Sequence, residues 1–254
     1  VRVGVVGVGA IGGSIALRLV RKGVEVLAYD VDSRLLSLLF EKTRIKRFNL
    51  ERDPVDMVIL AIPMRVEEKL IRELIFSDIT VMDVASVKTP FVKLAESRRM
   101  RFIGGHPMAG SIYRKDKGWD PNIFKERPFF LCQARHSKEE DRERAERLVH
   151  LLGAHPVWTT PEEHDKAVSK VSHSTYFISL TARILGKGFE DFAGPGFCST
   201  TRLSHQNLEM VLDMVRYNGN NIVEDLKEAK RILESITQAV ASDDFSVFLE
   251  GVEE

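Results

Sequence analysis

The chain has 254 residues, and its 37 basic and 37 acidic side chains give a formal net charge of zero. That balance leaves no overall basic excess with which to hold nucleic acid or an anionic membrane surface. Charged residues at 29% and hydrophobic ones at 44% exclude a disordered chain and allow one large domain or two modest ones.

Residues 3–6, Val-Gly-Val-Val, read as a buried strand followed by a helix to about Lys22. The uncharged run 3–17 superficially resembles a signal peptide, but it is too short to span a bilayer and is interrupted by Gly4, Gly7, Gly9, Gly12 and Gly13. Further strands are predicted over 24–29, 57–62, 79–83 and 101–104, with helices over 35–41, 66–75 and 90–98. The run 57–62 is almost wholly apolar, as expected of a central parallel strand. This alternation predicts a Rossmann-type, doubly wound parallel sheet covered by helices on both faces. After His106 the rhythm breaks. Residues 113–125 read as a polar, mobile loop, and a strand over 128–133, a helix over 139–152 and a strand over 155–158 follow.

Thr160-Pro161-Glu162-Glu163 has the form of a helix start, with Thr as the cap, Pro at the first position and Glu at the third. Beyond it no strand is predicted. Ile222, Leu226, Ala229, Leu233, Ile236 and Val240 recur at spacings of four and three, a continuous helical seam suited to core packing or to a subunit interface. The chain is therefore divided into a dinucleotide-binding α/β domain, 1–160, and an all-helical domain, 161–254. The first carries 28 basic and 21 acidic residues, a net of +7, and the second 9 and 16, a net of −7. Cys132 and Cys198 lie far apart with no CxxC spacing, so neither a disulfide framework nor a zinc site is expected and the setting is read as cytoplasmic.

Gly7-Val8-Gly9-Ala10-Ile11-Gly12 is a G-x-G-x-x-G between the first strand and the first helix. In that context the first glycine permits the turn, the second admits a pyrophosphate to the backbone, and the third lets helix pack on strand. Ala10 and Ile11 contribute helix N-terminal N–H groups, which favour an anion. Asp30, 18 residues after Gly12, ends the second strand where a carboxylate accepts from ribose hydroxyls and repels a 2′-phosphate, so NAD is expected over NADP. Ligands of such sheets lie outside the carboxyl ends of the strands, where Pro63, Ser86 and the run Gly104-Gly105-His106-Pro107 are predicted to fall. A neutral histidine suits removal of a hydroxyl proton as a carbinol is oxidised, so His106, oriented by Ser86, is the candidate base.

Gly105-His106-Pro107-Met108-Ala109-Gly110 resembles the GHPMAG signature of the prephenate/arogenate dehydrogenases of tyrosine biosynthesis. The likeness continues through Asp83-Val84-Ala85-Ser86-Val87-Lys88, His164-Asp165, Ser172-His173 and the run from Gly196 to Arg202. It implies NAD-dependent oxidative decarboxylation of prephenate to 4-hydroxyphenylpyruvate, or of arogenate to tyrosine. It also implies that His106 handles the C4 hydroxyl with Ser86, that Arg202 binds a substrate carboxylate, and that His164, His173 and Ser111 line the substrate site. His164 and His173 are nine apart, unlike a helical metal pair, so no metal is expected. The resemblance further implies a homodimer through the helical domain and allows fusion to another shikimate-pathway domain. Two positions depart from the family pattern: Tyr176 stands in place of a second histidine, and Val211 in place of a tryptophan.

Two other functions are weighed against this one. A hydroxy-acid dehydrogenase of the 3-hydroxyisobutyrate type would need Lys166 or Lys170 as its catalytic lysine. A non-enzymatic NAD-sensing module would need the glycine loop and Asp30 but not His106, Ser86 or Arg202.

Overall fold

The computed structural model describes residues 1–73, 78–111 and 113–244, which fall into two compact units, Val1–Asp165 and Lys166–Glu254. Residues 74 and 75 of the predicted 66–75 helix and the final ten residues of the predicted helical domain lie outside the described residues.

The first unit is built on an eight-stranded sheet of order β3-β2-β1-β4-β5-β6-β7-β8. In chain order the strands are β1 (Arg2–Val6), β2 (Glu25–Tyr29), β3 (Lys46–Arg47), β4 (Met57–Leu60), β5 (Thr80–Asp83), β6 (Phe102–Pro107), β7 (Pro128–Gln133) and β8 (His155–Trp158). The helices are α1 (Ala10–Arg21), α2 (Ser33–Lys42), α3 (Met64–Glu73), α4 (Thr89–Ser97) and α5 (Glu139–Leu152). All four residues of β4 are buried, as its unbroken apolar sequence requires of a central strand. Strand order reverses between β1 and β4, and the carboxyl ends of strands at such a switch form the crevice in which α/β sheets bind ligands.

Two expectations need correction. The strand predicted to stop at Gly104 continues through Gly105 and His106 to Pro107. β7 extends it by antiparallel pairing, with Gly105 opposite Leu131, His106 opposite Phe130 and Pro107 opposite Phe129. His106 is thus held in a strand, not on a loop. The segment 113–125, read as a polar loop, is tied to the sheet domain by long-range contacts at Trp119, Asp120 and Phe124. The Trp119 indole donates to the carbonyls of Val8 and Gly9 at 2.9 and 3.1 Å, the Asp120 N–H donates to Ser14 Oγ at 2.9 Å, and Phe124 is fully buried.

α6 (Pro161–Val168) begins where predicted. Glu163 N–H donates to Thr160 Oγ1 at 3.2 Å, and the Glu163 carboxylate accepts from the Thr160 N–H and hydroxyl, a reciprocal cap. The second unit is helical throughout its described residues: a π-helical turn (Ser169–His173), α7 (Ser174–Leu185), α8 (Pro195–Thr201) and α9 (Leu208–Ala241). The 34 residues of α9 make it about 50 Å long. Asn218 leaves helical geometry within it, with φ −129° and ψ 17°.

The predicted seam divides: Ile222 is buried with Tyr176, Val211 and Met214, and Leu226 packs on that cluster, whereas Leu233 and Val240 are exposed. Leu185 and Phe192, also in this unit, are 78% and 87% exposed.

Candidate active site

The glycine loop has the geometry of a dinucleotide cradle. Gly7 sits at φ +89°, and a Cβ there would lie 2.3 Å from the Ala61 carbonyl oxygen. A Cβ at Gly12 would lie 1.9 Å from the Gly7 carbonyl oxygen, so helix and loop pack here with no room for a side chain. Gly9 is the opposite: a Cβ there would meet nothing within 4 Å, leaving open space beside the N-terminus of α1. Close packing at the outer glycines and space at the middle one is what a pyrophosphate resting on this backbone needs.

Asp30 follows β2, where one carboxylate oxygen accepts from Val8 N at 2.7 Å and the other from Asp32 N at 2.8 Å. A carboxylate has about four acceptor positions, so it can still receive ribose hydroxyls. Pro63 is exposed just after β4, and its carbonyl starts α3 by accepting from Val66 N and Glu67 N. Ser111 Oγ accepts from Tyr113 N at 3.0 Å.

Toward the carboxyl end of β6, the buried His106 is joined to a chain of polar groups. His106 Nδ1 lies 2.9 Å from His164 Nε2, and His164 Nδ1 lies 2.8 Å from Asp165 Oδ1. Asp165 also accepts from the backbone N–H groups of Lys88 and Thr89 at 2.7 and 2.8 Å, at the start of α4. Burial alone would raise the Asp165 carboxyl, but the bonds from His164, Thr89 and Lys88 outweigh it and hold it below the ordinary aspartate value. An ionised Asp165 accepts only, so His164 Nδ1 carries a proton, and the tautomer of His164 that is protonated at Nδ1 alone accepts at Nε2. His106 therefore donates from Nδ1, and its Nε2 is the basic nitrogen. Ser86, which the sequence reading pairs with His106, is half-buried at a bend after β5.

Behind His106, a second cluster fixes the neighbouring peptide. Ladder pairing between β5 and β6 covers Val81 with Phe102 and Met82 with Ile103. Beyond it, side chains take over: Asp83 Oδ1 accepts from Gly105 N at 2.7 Å, and Lys88 Nζ donates to the Gly105 carbonyl at 2.6 Å and to Asp83. Both are fully buried, as is Glu67 of α3, which reasoning from sequence missed. Burial, with the neighbouring charge of Asp83, pushes the Glu67 carboxyl well above the ordinary glutamate value. A raised carboxyl binds its proton more tightly in the folded state, so its contribution is complete below the ordinary glutamate pKa and is lost as pH rises toward the folded value. The Glu67→Gln variant should therefore gain in melting temperature over the parent as pH rises above the ordinary glutamate value. A difference that stays constant with pH would contradict a protonated Glu67.

In the second unit, His173 ends the π-helical turn and its Nδ1 lies 3.1 Å from Asn218 Nδ2, at the kink of α9. Both helices depart from α geometry at this contact, and π turns recur at functional sites. Arg202 is exposed where α8 passes into a short 3₁₀ turn.

Residues 15–158 match the family model described as prephenate dehydrogenase, nucleotide-binding domain, and residues 160–254 match prephenate dehydrogenase, dimerization domain. The chain belongs to the prephenate dehydrogenase family. The first match starts beyond the glycine loop, so the loop is identified by its own geometry. The chain is 28% identical over 261 residues to the prephenate dehydrogenase of Bacillus subtilis (strain 168), covering 94% of this chain and 70% of that protein. Among solved structures, Synechocystis arogenate dehydrogenase is similar at TM-score 0.82 and 25% identity, covering 100% of this chain and 96% of the other. Prephenate dehydrogenase from A. aeolicus, in complex with hydroxyphenyl propionate and NAD+, is similar in fold at TM-score 0.88 and 23% identity, with 99% and 94% covered.

The two departures from this family's sequence pattern, Tyr176 and Val211, belong to one buried apolar cluster with Met214 and Ile222. Among the described residues no group of three or more His, Cys, Asp or Glu is placed to hold a metal ion, and no helix is long and apolar enough to cross a membrane.

Proposed function

We propose that this chain catalyses the NAD-dependent oxidative decarboxylation of prephenate to 4-hydroxyphenylpyruvate. The observation that carries the reading is the Asp165–His164–His106 chain, which leaves His106 Nε2 as a base in a unit that also holds a dinucleotide cradle. Gly7, Gly9, Gly12 and the N–H groups of Ala10 and Ile11 hold the pyrophosphate, Asp30 takes the adenosine ribose, and Pro63 borders the cofactor. When bound, the nicotinamide supplies the acceptor for the C4 hydride and its electron pair. His106 takes the proton of the C4 hydroxyl as the C4–O bond gains double-bond character, with Ser86 as a second hydroxyl contact. The bond from C1 to its carboxylate then breaks, CO2 leaves, and its electrons complete the aromatic ring. His106 returns the proton to the phenolate oxygen, so atoms and charge balance.

Arg202 grips a substrate carboxylate through its guanidinium fork, His173 and Ser111 contribute polar contacts to the substrate, and His164, whose ring nitrogens are taken by Asp165 and His106, acts through His106. Arg202→Gln should raise the prephenate KM at least tenfold with a smaller change in kcat. An effect confined to NAD affinity would remove Arg202 from the substrate site.

A second reading, arogenate as substrate, is favoured by the full-length similarity to the Synechocystis arogenate dehydrogenase. The two substrates differ by a keto or an amino group, so kcat/KM measured with each decides between them; a clear preference for arogenate would overturn the prephenate assignment.

The exposed apolar surface of the second unit and its match to a dimerization domain support a homodimer. Sedimentation at micromolar concentration should give twice the mass of one chain, and a monomer would contradict it. The reaction is assigned to the cytoplasm on the sequence reading of two widely spaced cysteines, Cys132 and Cys198.

A further inference from the structure

The surroundings of Asp30 hold two cations as well as carboxylates. Arg34 stands at the second position of α2, and Lys115 opens the 3₁₀ turn Lys115–Gly118, far away in sequence. Arg34 donates to Asp116 Oδ1 at 2.8 Å, and Lys115 Nζ donates to Asp32 Oδ2 at 2.8 Å. Neighbouring residues of one turn thus exchange ion pairs with residues 32 and 34 of the other.

This turn is held in place from its far side. Lys115 sits at φ +55°, a conformation that an L-residue keeps only when its surroundings impose it. Trp119 supplies that restraint by bonding to the glycine-loop carbonyls, and Gly118 supports it, since a Cβ there would lie 2.7 Å from Ala10 Cβ. The turn is therefore fixed to the cradle.

In sites of this architecture, a carboxylate after the second strand receives the free ribose, and a nearby arginine accommodates a 2′-phosphate. This chain has both, but its two cations are engaged by Asp116 and Asp32. We propose that Asp116, assisted by Asp32, is a cofactor-specificity residue that withholds Arg34 and Lys115 from a 2′-phosphate. The inference deepens the NAD reading of the glycine loop and rests on it. Without Asp116, one negative charge is gone and the Arg34 fork is released to bind phosphate oxygens.

Exposed ion pairs contribute little to stability, so Asp116→Asn should fold as the parent does. The test measures dissociation constants of NAD and NADP by calorimetric titration of the full chain, for the parent, Asp116→Asn and Asp116→Asn/Arg34→Ala. The parent should favour NAD. In Asp116→Asn the ratio of the NADP to the NAD dissociation constant should fall about tenfold, the scale of one charged hydrogen bond. Adding Arg34→Ala should restore the parent's ratio. A parent that favours NAD and an unchanged ratio in Asp116→Asn would overturn this inference alone, as would a gain that survives Arg34→Ala. A parent that favours NADP would overturn the NAD reading and this inference with it.

Discussion

His106→Asn should lower turnover by about 10²- to 10⁴-fold, the usual contribution of a positioned general base. NAD affinity should stay close to the parent's, because the glycine loop lies on the β1–α1 turn and His106 in β6. Asparagine can replace a hydrogen-bonding partner, but it cannot take up the hydroxyl proton. Steady-state kinetics with a separate NAD titration checks both halves; near-normal turnover would remove His106 from the chemistry.

Asp165→Asn should have an effect of similar size, on the order of 10²- to 10⁴-fold in kcat, by fixing the wrong tautomer. Asp165 Oδ1 accepts from both His164 Nδ1 and Lys88 N, while Oδ2 accepts from Thr89 N. A carboxamide has one acceptor oxygen. If its oxygen takes the Oδ1 position, its NH₂ opposes the Thr89 N–H. If its NH₂ takes that position, it opposes the Lys88 N–H instead, donates to His164 Nδ1 and drives the His164 proton to Nε2. His106 must then accept at Nδ1 and carry its proton on Nε2, where no base remains. The expected result is a fall in kcat with prephenate KM and NAD affinity little changed. An Asp165→Asn enzyme with parental kcat would mean that the chain of bonds does not set the His106 tautomer.

Much of the first unit was legible because each strand and helix announces itself locally. The apolar run at Met57 and the alternation up to Phe102 need no distant partner to be read. The end of β6 was misread because Gly105 and Pro107 look like loop residues, and only the pairing with Phe129 and Leu131 makes them a strand. Similarly, 113–125 read as polar because the burial of Trp119 and Phe124 depends on contacts made more than 100 residues away for the indole. His106 itself was visible in the motif around it. The acid that sets its tautomer stood out only as part of His164-Asp165, since local sequence does not show that Asp165 caps α4, 77 residues from Lys88.

Glu67, by contrast, carries a local signal. It lies three residues after Met64 and four before Ile71, and these are the buried residues of α3. A glutamate on the inward stripe of an amphipathic helix marks a buried carboxyl by its spacing alone.

The central claim is that this chain removes a hydride and CO2 from prephenate in one turnover. The most direct measurement is the stoichiometry of NADH and CO2 formed from prephenate and NAD by the purified chain, with the organic product identified. One NADH and one CO2 for each 4-hydroxyphenylpyruvate is the predicted result; NADH formed without CO2, or no NADH from either prephenate or arogenate, would contradict it.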